Sequence, residues 1–204
     1  MGRFTLVKSS EPIKRYTATK GPGEGGLSRF YESLKKSLEE VEVYVAYDIL
    51  PGFSLILSNG VKKEKHLELY EQVNARYPGT RIVSVVHENP LYAVMKAFRI
   101  MKQTDFYYEE GVEREYYIGY FTPIEDLEDI LSGLFHRVNT IYNVTLLLLN
   151  SGSLPLEIST TGVLAVLNEN ITSQLEYIKT RVHLKIGVDY NASKAVEKAL
   201  LSNN

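Results

Sequence analysis

The sequence predicts an α/β protein in which helices cover both faces of a mostly parallel central sheet, forming a three-layer sandwich. Three short apolar runs support this fold class: residues 41–47 (VEVYVAY), 82–86 (IVSVV) and 144–149 (VTLLLL). Each run is short, rich in β-branched or aliphatic side chains and nearly free of charge, as is typical of strands buried on both faces. We therefore expect the three runs to be neighbouring interior strands.

Length and composition predict one domain spanning residues 1–204. The chain has 204 residues and is 44% hydrophobic, which suffices for one sizeable core but not for two independent ones. It carries 23 Lys and Arg against 25 Asp and Glu, so the overall charge provides no attraction to nucleic acid or to an acidic membrane. We therefore expect neither nucleic acid nor a membrane as a partner.

The chain has no cysteine, which excludes disulfides, thiolate zinc sites and a cysteine nucleophile. Its first residues contain no apolar segment long enough for a secretory signal, and its longest apolar run is far below the ~20 residues of a membrane span. We therefore expect a cytoplasmic protein. The absence of Trp and Cys, with 15 Tyr and abundant Lys and Glu, follows a tendency of heat-adapted proteomes.

In the first quarter of the chain, residues 3–8 and 13–19 predict two short strands around the turn at residues 9–12. A glycine-rich stretch at residues 20–26 cannot be helix interior. The side chains after it recur at helical spacing, so the glycine-rich stretch is expected to open a helix: Leu27, Phe30, Tyr31, Leu34 and Leu38.

The middle of the chain predicts a strand, loop, helix, strand unit at residues 49–90. Residues 54–57 form a short apolar run that Gly60 ends, and helical spacing follows at residues 67–73. The strand at residues 82–86 comes next, and a further helix is expected at residues 91–101.

Residues 106–121, FYYEEGVEREYYIGYF, predict a β-hairpin or a long connection. Basic side chains between the aromatic residues would suggest that the aromatic rings stack on single-stranded nucleic acid. The interleaved charges, however, are mostly glutamates. Since aromatic residues are enriched at protein interfaces, we expect this Tyr-rich segment to form a homodimer or to contact another protein.

The last part of the chain predicts three helices and two strands. Acidic residues lie near the start of residues 123–138, and His136 and Arg137 lie near the end. This distribution of charge matches the dipole of a helix. The apolar strand at residues 144–149 follows. We then expect a helix at residues 156–169, a strand at residues 181–188 and a helix at residues 192–201.

Two glycine loops are candidate phosphate sites. Gly21, Gly26 and Ser28 match three of the four fixed positions of the G-x-x-x-x-G-K-[ST] pattern, with Leu27 in place of the lysine. This loop is either a flexible structural loop or a weakened anion site. The second loop begins at Gly60 and includes Lys65, which could replace the usual lysine, but it lacks the second glycine and the hydroxyl.

Two acidic residues are further candidates because each follows a predicted strand, where open α/β sheets place ligands. Asp48 follows the strand at residues 41–47, and Glu88 follows the strand at residues 82–86, next to His87. The alternative for each is a role in a turn or helix cap. Since adjacent residues in a strand point to opposite faces, His87 and Glu88 are not expected to act together.

The order of elements over residues 49–188 resembles the RecA and KaiC-like branch of P-loop ATPases, which implies a RecA-like fold. In that branch acidic catalytic residues follow the strand that here ends at His87 and Glu88. A later strand there ends in a magnesium-associated Asp, where this chain has Asn150 followed by Ser151. Residues 15–36 followed by 41–50 are also similar to a small uncharacterised family of hyperthermophilic archaeal proteins.

No catalytic motif accompanies that resemblance. The chain lacks G-x-S-x-G and H-E-x-x-H patterns, and its four histidines are scattered. We therefore expect a non-catalytic P-loop-like protein that acts as an interaction or regulatory partner, with no catalytic residues, metal site or cofactor. The alternative is a nucleotide-binding protein or ATPase that holds ATP and Mg at an altered phosphate loop.

Overall fold

The computed structural model describes residues 1–10, 26–124, 130–171, 175 and 180–201. Its strands and helices, in chain order, are β1 (Gly2–Lys8), α1 (Gly26–Ser37), β2 (Tyr44–Leu50), β3 (Phe53–Leu57), α2 (Lys63–Arg76), β4 (Arg81–His87), α3 (Pro90–Met101), β5 (Phe106–Tyr108), β6 (Tyr116–Pro123), α4 (Ile130–Asn150), β7 (Leu154–Ile158), β8 (Val163–Val166), β9 (Val182–Asp189) and α5 (Ala192–Leu201).

The strands form two sheets that are mostly antiparallel. The first sheet has the order β2-β3-β1-β4-β5, and the second has the order β7-β8-β6-β9. In the first sheet β3 pairs antiparallel with both β1 and β2, and β4 pairs parallel with β5. All three pairs of the second sheet are antiparallel. The predicted mostly parallel α/β sandwich is therefore wrong, and so is the RecA-like fold implied by the resemblance: the protein is α+β.

Local sequence explains why the sheets are antiparallel. Gly52, with φ of 80°, closes a tight turn between β2 and β3, and such a turn can join only antiparallel neighbours. A short turn ending at Gly162 joins β7 to β8 in the same way, with the Ser159 amide donating to the Gly162 carbonyl at 2.9 Å. Parallel strands would need a long crossover connection at each of these two places, and the chain has a tight hairpin turn instead.

Contacts within the chain divide it into two compact units. The first unit comprises Gly2–Val86 and Ala93–Glu113, and the second comprises Met1, His87–Tyr92 and Arg114–Asn204. In each unit the first strand lies between the third and fourth strands, and the second strand lies at the edge. This is the split β-α-β order of ferredoxin-like domains, and the first unit adds α3 and β5. The single domain expected from the sequence stays a prediction.

Two sequence predictions fail in the second half of the chain. Residues 144–149 belong to α4, not to an interior strand, because that helix is apolar on several sides. Residues 156–169 contain β7 and β8 in place of the predicted helix. Of the two alternatives for the Tyr-rich segment, the hairpin is excluded and the connection remains, because β5 and β6 lie in different sheets.

The remaining helices and strands lie within a few residues of their predicted positions. The strands β1, β3, β4 and β9 and the helices α1, α2, α3 and α5 are confirmed. The run at residues 41–47 is confirmed only as the later strand β2, which lies at an edge and not inside the sheet. The predicted strand at residues 13–19 and part of the helix at residues 123–138 lie outside the described residues.

The core of the first unit forms between one face of its sheet and the helices α1 and α2. Alternation along the strands places Val7, Ile56 and Ile82 on that face. The helices contribute an apolar stripe that packs against these residues: Phe30, Leu34 and Leu38 from α1 and its end, and Leu69 and Val73 from α2. Removal of these side chains from water drives the unit to fold.

The core of the second unit forms where α4 packs on the sheet. Val144 and Leu148 of α4 are buried against Phe121 and Val163. On β9, a Cβ at Gly187 would overlap the carbonyl oxygen of Ala195 in α5, so that helix lies against the strand backbone. Only glycine permits an approach this close.

Candidate functional site

In the first unit, one end of the helix-facing side of the sheet is polar. Arg3 and Thr5 precede Val7 on the same face of β1, Ser58 follows β3, and Ser84 lies in the middle of β4. His66, from the first turn of α2, reaches the same group. All five side chains are 2% exposed or less. Buried polar groups of this kind are stable only when they are hydrogen-bonded to one another.

Thr5 lies at the centre of the resulting network. Its hydroxyl donates to Ser84 Oγ at 2.9 Å and lies 2.8 Å from both Ser58 Oγ and His66 Nε2. Ser58 Oγ is itself 3.3 Å from His66 Nε2. Four side chains from two strands, a loop and a helix are therefore linked by their polar atoms.

His66 is held in a neutral form. Its Nδ1 lies 3.0 Å from the carbonyl oxygen of Lys62, which can only accept a hydrogen bond, so Nδ1 carries the proton and Nε2 is an acceptor. Burial lowers the pKa of His66 to about 4, and the charge of Arg3 acts in the same direction, while the hydrogen bond to Lys62 opposes them. A general base is most effective when its pKa is near the working pH, so His66 is a weak base for catalysis near neutrality.

A buried ion pair adjoins the network. The Arg3 guanidinium is paired with Glu113, and it also donates to Ser84 Oγ at 3.2 Å and to the Glu109 carbonyl at 2.9 Å. It lies 4.0 Å from the centre of the Tyr108 ring, close enough for a cation–π contact. These contacts compensate the charge of Arg3 in a buried position.

A cavity of about 380 Å³ lies beside this network, within the first unit. Ser58 and His66 line it together with the end of α1, residues 38–41, Val43 and one side of α2. Its volume falls within the range of ligand-binding pockets, and a cleft that contains a residue of perturbed pKa is a candidate functional site. We take the cavity, with Ser58 and His66, as the candidate binding site of this unit.

The loop at Gly60 is occupied by the protein itself. Gly60, with φ of 77°, donates its amide N–H to Glu113 Oε2 at 2.6 Å. A carboxylate therefore takes a hydrogen bond that a bound phosphate would need. Lys65 lies in α2 and its ammonium contacts Glu68 Oε2 at 2.6 Å, which raises the pKa of Lys65. Gly60 and Lys65, five positions apart in sequence, were predicted for one phosphate site. Both have hydrogen-bond partners within the chain.

The other predicted site residues lie in several parts of the chain. Glu88 is exposed and belongs to the second unit, whereas Asp48 lies in β2. Asn89, next to Glu88, accepts a hydrogen bond from the Tyr92 amide at 3.0 Å and so caps α3. The backbone of Gly26 and Ser28 lies in α1, and Gly21 lies outside the described residues. None of these placements tests the predicted roles, which stay predictions.

Asn150 and Ser151 do not end a strand, as the resemblance required. Asn150 is the last residue of α4, and the Ser151 hydroxyl donates to the Leu148 carbonyl at 2.7 Å, at the end of that helix. In the described part of the chain, no group of three His, Cys, Asp or Glu residues is arranged to hold a metal ion. None of the helices described is both long and apolar enough to cross a membrane.

A second candidate surface lies on α4, in the second unit. Six large apolar side chains of this helix are between 38% and 73% exposed, and we call them the exposed α4 face: Leu134, Phe135, Val138, Tyr142, Leu146 and Leu149. At 100° per residue they fall within an arc of about 120°, and the buried side chains of Val144 and Leu148 lie outside it. The two basic side chains of the described helix, His136 and Arg137, also lie outside this arc, which contains no Lys, Arg, His, Asp or Glu.

Sequence reasoning missed the network because its members are far apart in the chain. Thr5 lies 53 residues from Ser58 and 79 from Ser84, and Arg3 lies 110 residues from Glu113. One signal was present: the arginine and threonine alternate with Phe4 and Leu6 in an apolar strand, which places both polar residues on one face.

No family model matches the chain, and no curated protein matches it. Among solved structures, seven chains match. A structure of a bacterial light-regulated adenylyl cyclase has a TM-score of 0.29 and 11% identity, covering 93% of this chain and 73% of the other. A second such structure has a TM-score of 0.26 and 12% identity, covering 92% and 72%. The expected archaeal, heat-adapted family and a dimer through the Tyr-rich segment thus gain no support.

Proposed function

We propose that the protein is a non-catalytic interaction or regulatory partner that binds another protein chain through the exposed α4 face. The observation that carries this proposal is the size and continuity of that face. Six large apolar side chains in one arc expose roughly 600 Å² of surface, which equals or exceeds the largest apolar patch of a typical monomer. Patches of this size mark interaction sites.

The chemistry of the face favours a second copy of this chain as the partner. Because the arc contains no charge, it offers nothing to select a charged partner, and an equivalent uncharged helix face is complementary to it. Pairing two copies would bury about 1,200 Å² from these side chains alone, which reaches the range of stable protein interfaces. The segment from Leu134 to Leu149 has the three- and four-residue spacing of a two-helix contact.

The alternative, an ATPase or nucleotide-binding protein with an altered phosphate loop, is less well supported. The Gly60 amide is bonded to Glu113, and Lys65 is bonded to Glu68. His66 near Ser58 could suggest a nucleophile and its base, but both are almost fully buried and the pKa of the base is about 4. We also propose a cytoplasmic location, which was expected because the first residues lack a secretory signal and no apolar run is long enough for a membrane span.

Sedimentation or light-scattering mass measurements over a broad concentration range test the proposal. We expect the wild type to self-associate and Phe135→Glu to remain monomeric, because Phe135 is the most exposed side chain of the face and a charge within an apolar contact loses its hydration without gaining a partner. Val112→Glu, at a residue of the first unit that is 72% exposed, is the matched control and should behave as the wild type. A wild type that stays monomeric at all concentrations would contradict the proposal.

A further inference from the structure

The cavity of the first unit is not used by the proposed function, which rests on the second unit. It opens beside α2, and two buried side chains with hydrogen-bonding atoms, Ser58 and His66, form part of its lining. We propose that this cavity binds a small, uncharged molecule that combines an apolar group with a single hydrogen-bond donor, such as a hydroxyl group. The ligand class follows from the walls, the polar lining and the charged rim.

The walls determine the apolar body of the ligand. Six of the fifteen residues that line the space are aliphatic, and they come from four segments: Leu38, Val41, Val43, Ile56, Val61 and Leu69. The volume of about 380 Å³ lies near the lower end of the range for small-molecule sites. A compact hydrocarbon group packed on these six side chains would remove their apolar surface from water.

The network beside the cavity determines the polar group of the ligand. The proton of Thr5 goes to Ser84, and His66 Nε2 is an acceptor because Nδ1 holds the ring proton for Lys62. The single proton of the Ser58 hydroxyl then has to serve two close contacts, with Thr5 Oγ1 at 2.8 Å and with His66 Nε2 at 3.3 Å, and the 2.8 Å contact between Thr5 Oγ1 and His66 Nε2 has no proton of its own. A ligand O–H that donates to Ser58 Oγ or to His66 Nε2 supplies one more hydrogen-bond proton to the contacts among Thr5, Ser58 and His66.

The rim argues against an anionic ligand. Its charged residues are two lysines and three glutamates: Lys36, Lys65, Glu39, Glu40 and Glu68. Lys65 is already paired with Glu68, so the rim offers no excess of positive charge to a phosphate or carboxylate. A neutral molecule enters without repulsion from the acids and without losing an ionic hydration shell.

Three probes of one size distinguish these requirements in titrations followed by amide NMR shifts of the ¹⁵N-labelled full chain. Benzyl alcohol has an apolar ring and one hydroxyl, toluene lacks the hydroxyl, and benzoate carries a negative charge. We expect benzyl alcohol to bind most tightly, toluene more weakly and benzoate not at all. The shifted amides should lie in residues 38–43 and at the start of α2.

Two variants and two controls complete the test. Ser58→Ala should weaken benzyl alcohol about fivefold, the effect of one hydrogen bond, and leave toluene unchanged. Val41→Phe should abolish binding of both probes by filling the cavity. The first control is Ser54→Ala on the same face of β3. Ser54 is fully buried, its hydroxyl has no hydrogen-bond partner in the described part of the chain, and it does not line the cavity.

The second control, Val112→Phe, adds the same bulk at an exposed position. Both controls should bind as the wild type does. Any one of three results would overturn the inference: benzoate binding as tightly as benzyl alcohol, shifts confined to the exposed α4 face, or an unchanged affinity for benzyl alcohol in Ser58→Ala.

Discussion

The two units have the same order of their first four strands, but their first strands differ on one face. In the first unit that face of β1 carries Arg3, Thr5 and Val7, whereas the corresponding alternation in β6 carries Tyr117, Gly119 and Phe121. The first unit therefore buries a charged and hydroxyl network. The second unit packs hydrocarbon against α4 and leaves other apolar side chains of that helix exposed.

The same strand order can therefore carry either a charged and hydroxyl network or an apolar face on its first strand. An apolar interior tolerates small adjustments, because dispersion contacts are numerous and individually weak. A buried polar network depends on each member, since the loss of one leaves another unsatisfied. The first unit should therefore respond to single polar substitutions and to pH far more than the second unit does.

The largest effect should follow removal of the charge on Arg3. In Arg3→Met, Glu113, whose side chain is only 10% exposed, keeps its charge without the guanidinium, which costs about 3–5 kcal/mol of unfolding free energy. Chemical denaturation measures this loss. As a control, Lys65→Met breaks an ion pair in which both side chains are more than half exposed, and it should leave stability nearly unchanged. If the two variants proved equally stable, the buried pair would have no special role.

The second effect is a loss of stability in acid that arises from His66. Its folded-state pKa is about 4, below the unfolded value of 6.5, so below pH 6.5 the unfolded chain binds a proton that the folded chain does not. Stability should fall as the pH decreases from about 6.5 to 4, by about 3 kcal/mol in total, and this contribution should level off below pH 4.

Denaturation at a series of pH values, compared between variants, isolates this contribution. His66→Gln should remove the pH dependence between 6.5 and 4, whereas His136→Gln, at an exposed residue of the second unit, should retain it. An identical pH profile for the wild type and His66→Gln would show that the imidazole titrates normally in the folded protein.

The same contrast explains how much the sequence could predict. The alternation of β1 and the spacing of α1 and α2 are local signals, and these elements were predicted. The run at residues 144–149 was misread because α4 presents Val144 and Leu148 to the core and Leu146 and Leu149 to solvent, which removes the helical period from the pattern. Residues 156–169 were misread because the turn ending at Gly162 was overlooked.

The candidate site was harder to predict than the elements. Thr5, Ser58, His66 and Ser84 share no motif, and strand pairing and the position of α2 bring them together. The loop at Gly60, by contrast, was easy to find, but its glycine amide and Lys65 already have partners within the chain. A phosphate motif specifies glycines and a lysine, but not whether another side chain of the chain already occupies the loop.

In each unit, a glycine with positive φ is closely approached by a side chain of the same unit. In the first, Glu113 accepts the hydrogen bond of the Gly60 amide. In the second, Gly152, with φ of 80°, lies so close to the Asn89 side-chain amide that an added Cβ would overlap it. An anion would have to displace Glu113 from the first loop and separate Lys65 from Glu68 before it could bind there.

The smallest expected effect is therefore that of Mg-ATP, which should not raise the melting temperature. A ligand that binds the folded state at a hundredfold excess over Kd stabilises it by about 2.7 kcal/mol, which a thermal-shift titration detects easily. Phosphoryl transfer also requires a free cation and a metal held by a hydroxyl and an acid, and the loop at Gly60 lacks that hydroxyl. Neither stabilisation nor hydrolysis is expected. Stabilisation by Mg-ATP that Lys65→Ala abolishes and Lys36→Ala retains would instead place a nucleotide site at the loop and show that the phosphate displaces Glu113.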